Sequence, residues 1–272
     1  MHTIHRAARA AAQLAAVFIA TSLAAGAAIA QSGGPSGHPW ITTPLRLAAP
    51  TTYFTNLEDG AQIETPYLVR FGLSGFGIAP IVRGVPRTGH HHLLVNRDLP
   101  LDFQAPLPFN EQYIHFGKGQ METVLTFPPG TYQLRLLLAD HKHIPHFIYS
   151  KPITVTVTAQ RGDVDPKSLV QPGVSILEPA QGAAVQVPFN VVFHASGLNV
   201  SHVGLKEKDT GHFRLALTRD GKTERIDFPG GHTEAWLQPP AGDYRVQLEF
   251  VSNTEPGRVM ASSVPMDLKV TR

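Results

Sequence analysis

From about residue 53 onward, apolar and polar side chains alternate at a period of two, over stretches of four to eight residues broken by Pro and Gly. Tyr132, Leu134, Leu136 and Leu138 share one face, and Tyr244, Val246, Leu248 and Phe250 share another. Phe213, Leu215 and Leu217 point one way, and His212, Arg214 and Ala216 the other. This alternation predicts half-buried strands. No stretch after the first thirty residues carries a 3.6-residue apolar stripe.

The strands come in two sets. Gly60, Pro66, Phe71 and Gly75 recur 122 residues later as Gly182, Pro188, Phe193 and Gly197, and Thr88-Gly89-His90 recurs as Thr210-Gly211-His212. The offset then becomes 112, which places Phe116, Glu122, Gly130 and Tyr132 on Phe228, Glu234, Gly242 and Tyr244. The chain is therefore an internal duplication, with repeats at residues 53–158 and 172–272 and a polar linker at 159–171. About seven strands per repeat predict an all-β fold of two tandem immunoglobulin-like sandwiches. An up-and-down barrel is the alternative. Pro128-Pro129-Gly130-Thr131-Tyr132 and Pro239-Pro240-Ala241-Gly242-Asp243-Tyr244 have the form of a tyrosine corner, in which a Tyr hydroxyl bonds backward over a turn.

Residues 1–30 read as a secretory signal peptide. Arg6 and Arg9 precede an Ala-rich apolar run, and Ala28-Ile29-Ala30 supplies a small-x-small cleavage site. The run is shorter than the roughly 20 residues of a membrane span. The expected mature chain begins after Ala30, is periplasmic, and starts with a flexible leader at 31–52. The formal charge of +2 comes from Arg6 and Arg9 of the expected signal peptide; the remaining basic side chains equal the 21 acidic ones. Charged residues make up only 16% of the chain, with no Lys/Arg run, which argues against nucleic acid as a partner. The absence of Cys excludes disulfides and thiolate ligands.

The duplication separates scaffold from site, since a residue kept in both copies has an explanation in the shared fold. The first repeat holds His90, His91, His92, His115, His141, His143 and His146, and only His90 has a histidine counterpart, His212. His91 aligns with core-facing Phe213, so it reads as a packed residue. His90 and His92 lie on the opposite face, about 6–7 Å apart as i and i+2 on a strand. His141 and His143 have the same spacing beside Asp140. The candidate ligands are His90, His92, His115, His141, His143 and His146. Imidazole without thiolate suits copper(II), zinc or nickel. Glu122 recurs as Glu234 in the copy without the cluster and reads as structural. The alternative is a cell-envelope module that binds a protein or glycan through imidazoles, Tyr113, Phe116 and Tyr149. No nucleophile elbow, H-E-x-x-H or phosphate loop is present, so no catalytic residues are assigned.

Thr88-Gly89-His90-His91-His92-Leu93-Leu94-Val95, His115-Phe116-Gly117-Lys118-Gly119-Gln120 and the segment Leu136 to His146 together resemble an uncharacterised bacterial exported family, domain of unknown function (DUF) 4399. The resemblance covers the first repeat nearly end to end, and the second resembles a diverged copy. It implies an exported β domain of roughly 90–110 residues and no established activity.

Overall fold

The computed structural model describes residues 37–43, 49–100 and 102–272. The expected signal peptide, with its cleavage site after Ala30, lies outside the described residues.

The first repeat contains β2 to β11, preceded by β1 (Ile41–Thr42). They are β2 (Thr51–Phe54), β3 (Gln62–Thr65), β4 (Tyr67–Ser74), β5 (Gly77–Ile78), β6 (Thr88–Val95), β7 (Tyr113–His115), β8 (Glu122–Leu125), β9 (Gly130–Ala139), β10 (Pro145–Tyr149) and β11 (Ile153–Gln160). The second contains β12 (Gly173–Glu178), β13 (Ala184–Gln186), β14 (Phe189–Ser196), β15 (Asn199–Val200), β16 (Thr210–Arg219), β17 (Lys222–Phe228), β18 (Glu234–Leu237), β19 (Gly242–Ser252), β20 (Val259–Ser262) and β21 (Met266–Thr271).

In each repeat a seven-stranded sheet faces a smaller one. The first is β3-β11-β9-β6-β5, with β10 and β7 added at β9 and β6, facing β2-β4-β8. The second is β13-β21-β19-β16-β15, with β17 and β20 added, facing β12-β14-β18. Each repeat thus has more strands than the seven expected, because short edge pieces such as Gly77–Ile78 and Asn199–Val200 pair beside the long ones. Both tyrosine corners are present. Tyr132 Oη donates to Pro128 O at 3.0 Å and Tyr244 Oη to Pro240 O at 2.8 Å.

Within the stretch that composition assigns to a flexible leader, Ile41–Thr42 forms an antiparallel pair with Leu237 and Trp236 of the second repeat. Trp40 anchors it edge-on to Tyr244 at 6.2 Å, and its carbonyl accepts from Gln238 N at 2.7 Å. In the linker, Ala159 and Gln160 finish β11, and Pro166–Leu169 forms one 3₁₀ turn against β4 and β8.

The repeats join through reciprocal contacts. Val200 N donates to Gly119 O at 2.9 Å, and Ile78 N donates to Gly231 O at 2.8 Å. Ile78 and Val200 are equivalent at the 122 offset, Gly119 and Gly231 at the 112 offset. This is the pattern of an isologous, twofold interface, here within one chain. Two equivalent carboxylates also cross the junction. Glu122 accepts from His194 Nε2 (2.9 Å), Ser196 Oγ (2.6 Å) and Gly197 N (3.0 Å), while Glu234 accepts from Tyr53 Oη (2.7 Å). Burial opposes ionisation of Glu122, but those bonds hold its carboxyl below the usual range. The structural role read for Glu122 is thus concrete: it ties the repeats together. Leu73, Ile78, Met121, Leu138 and Ile148 of the first repeat join the core of the second, so one apolar cluster runs through the junction.

Candidate metal centre

The site is built on β6, whose eight residues are all buried although three are histidines. One face of β6 packs into the sandwich core, where Leu93 and Val95 lie with Phe71 and Leu136. His91 shares that face, fully buried, 5.3 Å from the Phe71 ring. Burial lowers its pKa to about 4, with the backbone of Gln120 and Gly72 acting the other way. The packed role expected for His91 is what the structure shows.

The other face of β6 is the outer face of the sheet, and an ordinary sandwich would leave it to solvent. Here the segment between β6 and β7 folds over it. Leu99, Phe103 and Leu107 pack with Leu94, Tyr113 and Leu137. This covering segment contains the ten residues that account for the change of offset from 122 to 112. In the second repeat its place is taken by a tight turn at Asp220-Gly221, both with positive φ. Under the cover, His90 and His92 are buried and their Nε2 atoms lie 2.9 Å apart.

Two further imidazoles close the group. His115 ends β7 directly opposite His92 in the antiparallel register. Its ring packs against Gly117, where a Cβ would stand 2.4 Å from Cε1 and Nε2. His143 comes from the turn after β9, at a φ of 66°. Asp140 shapes that turn. Its Oδ1 accepts from Lys142 N (2.7 Å) and Ile144 N (2.9 Å), and its carbonyl from His143 N (2.8 Å). Asp140 thus builds the turn that carries His143, as an Asx turn. Leu107 N donates to His143 O at 2.9 Å, which fastens the covering segment to the same turn.

His115 and His143 bring their Nε2 atoms to 3.1 Å. One nitrogen from each of His90, His92, His115 and His143 lies within 4.8 Å of all the others. Four nitrogens held about 2.0 Å from a zinc ion stand roughly 3.3 Å apart in a tetrahedron, so small ring rotations would complete a coordination sphere. Burial, then the neighbouring imidazoles, push His90 down to about 2 and His92 to about 3, and the same causes lower His115. His90 and His92 are therefore neutral and offer lone pairs. The Nδ1 atoms of His90 and His92 are buried without a partner, so no neighbouring carboxylate or carbonyl pins their tautomers.

The other two expected ligands lie elsewhere. His141 covers Gly84, and His146 packs on Phe76 at 5.1 Å with Nε2 3.3 Å from Thr88 O. Both line a separate hollow with Asp140, Arg83 and Arg87. His141 and His143 share the i, i+2 spacing of His90 and His92, but they follow β9 in a turn, where that spacing does not place two side chains on one face. Phe109 is a residue the sequence reading missed. It stands edge-on to His143 (4.7 Å) and His115 (5.2 Å) at the open side. Its place in the unpaired covering segment was the available signal.

The second repeat shows the same positions closed by protein groups. His212 bonds through Nδ1 to Asn253 Oδ1 (2.8 Å) and through Nε2 to Asp227 Oδ1 (3.2 Å). Arg214, the counterpart of His92, pairs with Glu249 at 2.6 Å. Of the aromatic side chains in the alternative reading, Tyr113 and Phe116 are buried and Tyr149 is exposed.

No helix among the described residues is long and apolar enough to cross a membrane. No curated protein matches the chain. Among solved structures, the chain is similar to the fibronectin(III)-like modules of Clostridium thermocellum CbhA, at 12% identity and a TM-score of 0.26, over 81% of this chain and 93% of that one. It is also similar to a two-domain fibronectin type-III segment of chicken tenascin, at 15% identity and a TM-score of 0.19, over 75% of this chain and 92% of that one. The profile of the family described as Domain of unknown function (DUF4399) matches twice, at residues 69–158 and 191–271, one match in each repeat. With both sandwiches matched, over more than half its length, the chain belongs to the DUF4399 family.

Proposed function

We propose that the first repeat binds one divalent transition-metal ion, copper(II), zinc or nickel, through His90, His92, His115 and His143, and that the protein does so in the periplasm after removal of its signal peptide. The convergence of four imidazole nitrogens within 4.8 Å carries the reading. Two supports stand beside it. His90 and His92 are held neutral by burial, and in the second repeat the equivalent residues His212 and Arg214 are bonded to protein partners. All-nitrogen coordination suits these three metals and disfavours calcium or magnesium, which take oxygen ligands. The second repeat serves as the platform that Glu122 and the shared core attach to the first. Export rests on the N-terminal pattern of Arg6, Arg9 and Ala28-Ile29-Ala30.

The test is titration of the protein lacking residues 1–30 with each metal, followed by elemental analysis. One equivalent is expected to bind. If copper(II), zinc and nickel all bind no more tightly than to a His92→Ala/His143→Ala variant, the reading fails.

A further inference from the structure

The four converging imidazoles have a shape as well as a composition, and the shape distinguishes between metals. The ring centroid of His90 lies 4.8 Å from that of His92, 4.9 Å from His115 and 5.1 Å from His143. His115 lies 5.1 Å from His92 and 4.8 Å from His143. The sixth pair, His92 and His143, is the longest at 5.8 Å. Rings that bind one metal through a nitrogen about 2.0 Å away hold their centroids about 3.2 Å from it. At the corners of a tetrahedron such rings stand about 5.2 Å apart in every pair. At the corners of a square, four pairs close to about 4.5 Å and two open to about 6.3 Å. All six observed separations fall between those two extremes. Four points at nearly equal separations form a tetrahedron, and no planar set of four can match them.

The backbone explains this shape. His90 and His92 stand on one face of β6, and the register of β6 with β7 sets His115 opposite His92. Three ligands are therefore based at neighbouring positions of one sheet. The fourth, His143, comes from the turn beyond β9, where its carbonyl accepts from Leu107 N of the covering segment at 2.9 Å. Three ligands rise from the sheet and one is held at its cover. Among the described residues, no carboxylate joins the four. Phe109 stands edge-on to His143 and His115 at the open side and brings only carbon to it.

We propose that this is a closed, tetrahedral zinc site that selects against nickel(II). The inference rests on the reading that the cluster binds a metal, and it names the ion. Zinc has no geometric preference of its own from its d electrons and is four-coordinate and tetrahedral where the protein supplies every ligand. Nickel(II) with nitrogen ligands favours a square or tetragonal set, and the four rings would have to flatten to provide one. A site with four protein ligands holds an ion, whereas one that activates water keeps a position open. Copper(II) heads the divalent affinity series, so its affinity does not report on geometry. Nickel(II) and cobalt(II) do. The ordinary series places nickel above cobalt. A tetrahedral site reverses that order, because cobalt(II) accepts the geometry more readily than nickel(II).

The test is to titrate the protein with cobalt(II), zinc and nickel(II), and then to compete each pair. Bound cobalt(II) is expected to show the intense visible bands of a tetrahedral complex and to be displaced by one equivalent of zinc. Zinc should bind about tenfold or more tightly than nickel(II), and cobalt(II) should also bind more tightly than nickel(II). The inference is overturned if bound cobalt(II) shows the weak bands of a five- or six-coordinate ion, or if nickel(II) displaces zinc at equal concentration. Either result requires a bound ion, so it leaves the metal-binding reading in place. If none of the three ions binds, both fail together.

Discussion

His92 and His115 face each other directly across the antiparallel pairing of β6 and β7. Side chains opposed in this way have Cβ atoms about 4.5–5.5 Å apart, and here their ring centroids lie 5.1 Å apart. The pairing fixes two corners of the cluster through main-chain geometry alone. His90, two residues along the same strand, supplies the third, and the turn built by Asp140 the fourth. His115→Ala should therefore remove metal binding by more than about a hundredfold, beyond the 10–100-fold typical of groups that only support a ligand. His141→Ala and His146→Ala should leave affinity unchanged. Competition with a chromophoric chelator measures all three.

Gly117 sets the angle of the His115 ring. A methyl group there would stand 2.4 Å from the imidazole and 3.0 Å from Ile81 Cγ2. The ring is the more movable neighbour, so Gly117→Ala should displace the ligand rather than the fold. The expected result is a loss of metal affinity of roughly ten- to a hundredfold, with the apo protein melting within a few degrees of the parent. A large drop in melting temperature with normal metal affinity would contradict this account.

The junction between the repeats makes a symmetric prediction. A Cβ at Gly119 would lie 2.1 Å from Val200 O, and one at Gly231 2.1 Å from Ile78 O, both at positive φ. Neither backbone oxygen can yield cheaply. Gly119→Ala and Gly231→Ala should each destabilise the protein by about 2–4 kcal/mol, and by similar amounts because the contacts are equivalent. Urea midpoints of the two variants would show whether they are.

Acid should weaken the metal-free protein in two stages. His91 and His232 are both lowered from 6.5 to about 4, chiefly by burial, with Arg87 and then His202 adding to the effect at His232, and without metal His90 and His92 are lowered further and act in the same direction. Between those pH values the unfolded chain binds protons that the folded chain does not, so stability falls as pH drops from 6.5 towards 4. Each histidine contributes up to roughly 3 kcal/mol of that loss. Glu122 acts lower. Its folded pKa lies below 4.5, so its contribution is present above that value and is lost as pH falls through the folded pKa. Denaturant midpoints at pH 7.5, 5 and 3.5 should decline in that order. His91→Phe, which places the side chain of its counterpart Phe213 in the first repeat, should flatten the upper stage. A midpoint constant from pH 7.5 to 5 would refute the assignment.

The strands, the duplication and both tyrosine corners are legible in the chain because each depends on local pattern: period-two alternation, repeated anchors, and a Pro-Gly turn ahead of a Tyr. The orientation of β6 is legible for the same reason, since Phe213 marks the core face and leaves His90 and His92 on the other. Whether that other face is wet or buried is not a local property. It depends on residues 96–100 and 102–112 folding back over the sheet, which the sequence shows only as a change of offset. Likewise, His143 joins the cluster while His141 does not, because Asp140 bends the chain at that point and the i, i+2 rule of a strand lapses in a turn. A groove that opens between the repeats has no sequence signature at all. Its walls, among them Tyr53, Arg70, Glu178 and Trp236, come from strands of both repeats, and only the packing of one sandwich on the other brings them together.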